Sequence, residues 1–133
     1  METTFDGYRI KATYLGDKKA DWGGDTENWN NHMVAVSRNG RRIGFEFWAS
    51  IMYPELRGRG DLLQAFACFL SDAIAGGQTF DDFCADFGYD TDSRKAWKSW
   101  KACQRAALKA RRLLNGDDLY QLEQAVSEAA NAS

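Results

Sequence analysis

The chain has 133 residues, of which 44% are hydrophobic, 27% charged and 14% aromatic, and its formal charge is −2. Such a chain can bury one core as a single domain over residues 1–133 and is too aromatic for intrinsic disorder. The near-neutral charge excludes a uniformly basic nucleic-acid binder, no apolar run approaches the ~20 residues of a membrane span, and one histidine, scattered cysteines and no phosphate loop remove much of the enzyme repertoire.

The N-terminal stretch METTFDGYRIK lacks the basic-then-apolar form of a signal peptide. The first half, to residue 50, reads as β. Tyr8, Ile10, Ala12 and Tyr14 alternate with polar residues, the pattern of a half-buried strand. Asn39-Gly40 predicts a two-residue type I′ hairpin, because both central positions need positive φ. That turn sets Val36 against Ile43, Val34 against Phe45 and His32 against Phe47, with the apolar members on one face. The expectation is a three-stranded antiparallel sheet over about 7–15, 31–38 and 41–49. Residues 16–30 and 53–60 read as two polar loops.

The second half, 61–131, reads as α. Leu63, Phe66, Ala67, Leu70, Ala73 and Ile74 have helical spacing, and Gly76-Gly77 ends that helix. Thr79 caps a short helix with Asp82 as its capping-box partner; Phe80, Phe83, Cys84 and Phe87 form its stripe and Gly88 stops it. Asp90 to Ser93 are cap-forming residues that open the longest helix, about 93–114. Asn115-Gly116 closes it, and Asp117 or Asp118 caps a last helix carrying Leu119, Leu122, Val126 and Ala129. The fold class is α+β, an N-terminal antiparallel sheet packed against C-terminal helices in two layers.

Charge is segregated along the helical half. Between Arg94 and Arg112 there are eight basic residues and no acidic one. Arg94, Lys98, Lys101, Arg105, Lys109 and Arg112 fall in one stripe at helical spacing, opposite Ala96, Trp100, Cys103, Ala107, Ala110 and Leu114. The plain alternative is a solvated helix face; the functional reading is contact with phosphates or an acidic surface. From Asp61 to Asp92 there are seven acids and no Lys or Arg. Helix capping accounts for several of them. The functional reading is an acidic face of Asp81, Asp82, Asp86, Asp90 and Asp92 that fits a basic groove on a partner.

Trp22 and Trp29 lie in the polar 16–30 loop, either folded back on the sheet or exposed as interface anchors. Trp48 alternates away from the core face, so it lies under a helix or in an exposed patch. Cys68, Cys84 and Cys103 read as core thiols in a reducing compartment, with no pair at zinc-ligand spacing. Asp90-x-Asp92 reads as a helix cap rather than a metal site. Arg59-Gly60-Asp61 spells an adhesion tripeptide that free cysteines argue against. No catalytic residue, metal or cofactor is assigned, and the chain is expected not to be an enzyme.

Residues 70–104, LSDAIAGGQTFDDFCADFGYDTDSRKAWKSWKACQ, follow a hairpin ending in GFEFWAS, and TFDDFCADFGYDTDSRKA (79–96) is their most specific part. This stretch resembles a family of small uncharacterised bacteriophage and prophage proteins over about residues 30–114. The resemblance implies a mobile-element origin and a bacterial host cytoplasm, and carries over no catalytic residue. Small proteins of that origin often modulate host machinery, and some are anti-CRISPR inhibitors. The functional expectation is therefore an inhibitor that binds a host protein complex, most concretely a Cas effector or surveillance complex, through one of its charged faces. The alternative is a small nucleic-acid-binding accessory protein using helix 93–114. No membrane partner is expected, and an exposed Trp48 or Trp22 would favour a homodimer.

Overall fold

The computed structural model describes residues 1–19, 21, 28–38, 43–52 and 56–132. Four antiparallel strands, β1 (Glu2–Phe5), β2 (Tyr8–Lys19), β3 (Asn28–Arg38) and β4 (Ile43–Met52), form one sheet in the order β1-β2-β3-β4. Four helices follow: α1 (Arg59–Ile74), α2 (Phe80–Phe87), α3 (Arg94–Leu113) and α4 (Gly116–Ala132). The α+β class is as expected, while the sheet has four strands rather than three. The additional strand β1 arises from Asp6-Gly7, which joins Phe5 to Tyr8 with φ of 47° and 81°. That is the positive-φ geometry of a type I′ turn.

The 16–30 segment is not the expected loop. The β2–β3 ladder continues past a bulge at Tyr14/Gly16 and pairs Gly16 with Asn31 through to Lys19 with Asn28. Asn39-Gly40 lies outside the described residues, but the β3–β4 register differs from the one it predicted. Val34 pairs with Phe47 and Val36 with Phe45, two residues further along β4. An even shift keeps every side chain on its face, so the apolar face survives.

Tyr8, Ile10, Ala12, Val34, Val36 and Phe47 line that face and are buried. α1 lies across it: the Phe69 ring stacks on Phe47 at 4.3 Å, and the Phe66 ring lies 6.1 Å from Tyr8. α4 packs along α1 and contributes Leu119, Leu122 and Val126, and α3 contributes Ala106, Ala107 and Ala110. A second cluster of Phe83, Cys84, Phe87, Tyr89 and Ala96 gathers Trp48 and Trp100. Adjacent strand residues point to opposite faces, so Phe47 under α1 and Trp48 against α2 and α3 mean that β4 is covered on both sides. The simple two-layer expectation is corrected there, and Trp48 lies under helices rather than in an open patch.

The caps follow the sequence closely. Thr79 Oγ1 accepts from the Asp82 N–H at 3.2 Å, and Ser93 Oγ accepts from the Ala96 N–H at 3.2 Å. Gly88, at φ 74°, closes α2 in the left-handed conformation. The last helix departs from expectation: its cap is Asn115, whose Oδ1 accepts from the Asp118 N–H at 2.8 Å, not Asp117 or Asp118.

Candidate binding faces and groove

α3 owes its shape to its composition. Small residues at Ala96, Cys103, Ala107 and Ala110 let it approach α1 and β4 closely, and Ala96, Ala107 and Ala110 are buried. The opposite side carries Arg94, Lys98, Lys101, Arg105, Lys109 and Arg112, all exposed. Among the described residues none of the six forms an ion pair. The stripe is thus present as a surface feature. Beside it Trp97 is 44% exposed, with the Lys101 ammonium 5.0 Å from its ring centroid. Trp97 also meets Phe80 edge-on at 5.1 Å and Trp100 at 5.0 Å, while Trp100 Nε1 donates to the Gln78 carbonyl at 2.8 Å. Those contacts hold the exposed indole in place.

The five acids of the expected acidic face, Asp81, Asp82, Asp86, Asp90 and Asp92, are all exposed, but they fall into more than one group. Asp82 and Asp86 act electrostatically on Asp72, at the end of α1. Asp81 and Asp90 act instead on Cys84, together with Asp21. Asp21 is a residue that sequence reading passed over. Its N–H donates to the Gly88 carbonyl at 2.8 Å, and its carboxylate accepts from the Asp90 N–H at 2.9 Å, tying the β2–β3 hairpin to the end of α2. Trp22 lies outside the described residues, and Trp29 is placed only as a backbone position of β3 opposite Met52.

The site that sequence reading missed is a groove of about 520 Å³ at the β4 edge of the sheet, between α1, α2 and α3. This volume suits a small ligand or a few side chains. Its floor includes Phe47, Trp48, Phe69 and Phe87, and Cys103 and Ala107 line it from α3. One side of α1 supplies Asp61, Gln64, Ala65, Cys68 and Asp72, a run at helical spacing. Asp86 of α2 completes a rim of three carboxylates, and among the described residues no Lys or Arg lines the groove. Asp61 accepts from the Arg57 N–H at 2.8 Å, and Asp86 accepts from the Gln78 side-chain amide. Partial desolvation pushes the Asp72 carboxyl above its ordinary value, and the charges of Asp86 and Asp82 push it further.

The three cysteines are free and are not brought together as a set. Cys84 is buried and Cys103 half-buried, but Cys68 is exposed, which corrects its placement in the core. Burial pushes the Cys103 thiol up to about 11, opposed by a backbone hydrogen bond from Trp48. Burial, followed by the charges of Asp81, Asp21 and Asp90, raises Cys84 as well. Both are held as thiols, the unreactive form. His32 is buried in β3, its ring 5.4 Å from that of Tyr14. Arg59-Gly60-Asp61 forms the first turn of α1, and Arg59 donates to Thr3 Oγ1 and the Thr4 carbonyl, each at 3.1 Å. Among the described residues no group of three or more His, Cys, Asp or Glu is placed to hold a metal, and no helix is long and apolar enough to cross a membrane. No family model matches the chain, and no curated protein matches it.

Proposed function

We propose that this chain is a non-catalytic inhibitor, carried on a mobile element, that docks on a bacterial host's defence complex through a charged surface. Its most concrete form is an anti-CRISPR protein that blocks a Cas effector. The observation that carries this reading is the separation of charge. Six cations on α3 and five acids around α2 all reach solvent, and among the described residues none of the α3 cations is paired with an acid. A merely solvated surface mixes the two signs, whereas separated fields steer encounter and fix orientation with a complementary partner. Burial of Cys84 and Cys103 also keeps those thiols in the form opposite to that of a nucleophile.

The test is affinity purification of the tagged protein from a bacterial host carrying CRISPR systems, with and without nuclease, followed by mass spectrometry. A Cas subunit retained after nuclease, together with restored plaquing of a targeted phage, is the expected result. Intact interference across subtypes with no Cas component bound refutes it.

Trp97 favours a second reading, in which α3 binds single-stranded nucleic acid. An exposed indole flanked by cations is the combination that stacks bases while tracking the backbone. On this reading a salt-sensitive gel shift is lost on charge reversal at Lys98, Lys101 and Arg105 and weakened by Trp97→Ala. Retention of the shift in both variants excludes it.

A further inference from the structure

We infer that the groove at the β4 edge is a docking site for a basic segment of a partner protein, one that inserts a large apolar side chain between flanking lysines or arginines. The inference rests on the binding-protein reading above and places the contact at the groove, which shares only Asp86 with the acidic face, rather than on the basic stripe of α3.

Three features of the groove carry it. The floor is apolar and aromatic, with Phe47 and Phe69 stacked beneath it, so an inserted side chain exchanges water for close-packed rings. The rim is of one sign: Asp61, Asp72 and Asp86 line the opening, and among the described residues no lining residue is cationic. Among the described residues no cation pairs with any of the three. Asp86 and Asp72 repel each other across the groove, and a cleft lined by one sign of charge focuses a field that attracts a cation. A neutral apolar ligand would leave that repulsion in place, and an anion would add to it. An apolar anchor with flanking positive charges satisfies both floor and rim. The six stripe cations of α3 do not supply this partner from within the chain, because they lie on the side of that helix opposite Cys103 and Ala107, which face the groove, and Arg111, whose guanidinium lies against Gly76, pairs with none of the three carboxylates.

The groove contains its own reporter. Cys68 lines it and is exposed, whereas Cys84 is buried and the Cys103 thiol is raised to about 11. Alkylation of the folded protein at pH 8 therefore reads Cys68, and occupancy of the groove slows it.

The probe is a capped hexapeptide with a Leu-Phe-Leu centre flanked by lysines, compared with the same peptide carrying glutamates instead. The lysine peptide should slow alkylation of Cys68 saturably, by roughly fivefold or more, with protection falling as salt rises. The glutamate peptide should give none. Asp72→Lys combined with Asp86→Lys alters two exposed positions and should reverse the preference between peptides. Ala85→Trp, which adds bulk at an exposed wall position, should abolish protection with charge unchanged. Circular dichroism verifies that both variants fold. Equal protection by the two peptides, or an unchanged rate at millimolar lysine peptide, overturns the inference. So does protection that grows with protein concentration alone, which assigns the groove to a second copy.

Purification separates this inference from the reading it rests on. Loss of the captured complex in Asp72→Lys/Asp86→Lys, with retention in Lys98→Glu/Lys101→Glu/Arg105→Glu, supports the groove. The reverse pattern overturns the groove and leaves the inhibitor reading intact. Peptide protection without any captured complex supports the groove and removes the inhibitor reading.

Discussion

Replacing Phe47 by alanine tests the register that builds both core and groove. Phe47 is 2% exposed, stacked on Phe69 at 4.3 Å and 6.4 Å from Phe66. Returning most of the buried ring to water costs about 2–3 kcal/mol. Losing the stacked pair adds about 1 kcal/mol. The cavity penalty is partly relieved, because Phe47 borders an open groove that water can fill. The expected loss is therefore about 3–4 kcal/mol, in the lower half of the range for buried Phe→Ala changes. At about 3–4 °C per kcal/mol for a chain of this length, the melting temperature falls by roughly 10–15 °C. Its neighbour Glu46 is exposed and lies opposite Ala35, so Glu46→Ala should change stability by less than about 0.5 kcal/mol. Thermal and urea unfolding followed by circular dichroism measure both. A slip of one residue would carry Phe47 to the other face of the sheet. A Phe47→Ala loss under about 1 kcal/mol would refute the packing described, since no buried Phe packed in this way is removed so cheaply.

Three further expectations concern charge, thiols and caps. Asp72 has a raised carboxyl pKa, so the folded state holds its proton more tightly than the unfolded chain. Below the ordinary value of 3.8 both states are protonated and there is no penalty; stability then falls as pH rises through the raised folded value. Asp72→Asn should remove that slope and slightly stabilise the protein at pH 7, solvent screening keeping the effect small. Equal stability of the two proteins at pH 3 and pH 7 would contradict it. Alkylation at pH 8, read by intact mass, should label Cys68 rapidly in the folded protein and all three thiols in urea; fast folded-state labelling of Cys103 would be inconsistent with a thiol at about 11. Thr79→Ala and Ser93→Ala should each cost about 1 kcal/mol through loss of an N-cap acceptor, as measured by urea denaturation, and near-zero costs would remove the caps from the account.

The helical half was legible because its signals are local. Thr79, Ser93, Gly88 and Gly76-Gly77 act within one turn of where they stand, so cap chemistry located the helix ends within a residue or two. The sheet was legible in its faces and not in its extent. Asp6-Gly7 is the same kind of turn signal as Asn39-Gly40, but β1 is only four residues long and offers little alternation to flag it. The far ends of β2 and β3 are polar apart from Trp29 and are held by the backbone ladder, which leaves no periodic trace. Cys68 was misplaced for a related reason. It follows Phe66 and Ala67 in the apolar run but shares its side of α1 with Gln64, whose amide lies 3.5 Å from its sulfur. The run Asp61, Gln64, Ala65, Cys68 and Asp72 was visible as a small and polar stripe beside the core stripe. Only the arrival of β4, α2 and α3 makes it one wall of a groove.

The basic stripe expected from the sequence and the acidic rim of the groove, which shares only Asp86 with the expected acidic face, are connected through α3. Its alanine and cysteine side has to lie close to α1 and β4, and at that distance long side chains do not fit. Every Lys and Arg of the stripe is therefore turned outward. Among the described residues this leaves Asp72 and Asp86 without a cross-helix ion pair, and no lysine or arginine lines the groove. α3 packs against β4, a common way to cover an edge strand, and the groove occupies the adjoining space. The basic stripe and the acidic rim are thus two results of one packing requirement. A substitution that let a cation on α3 face inward would weaken both at once.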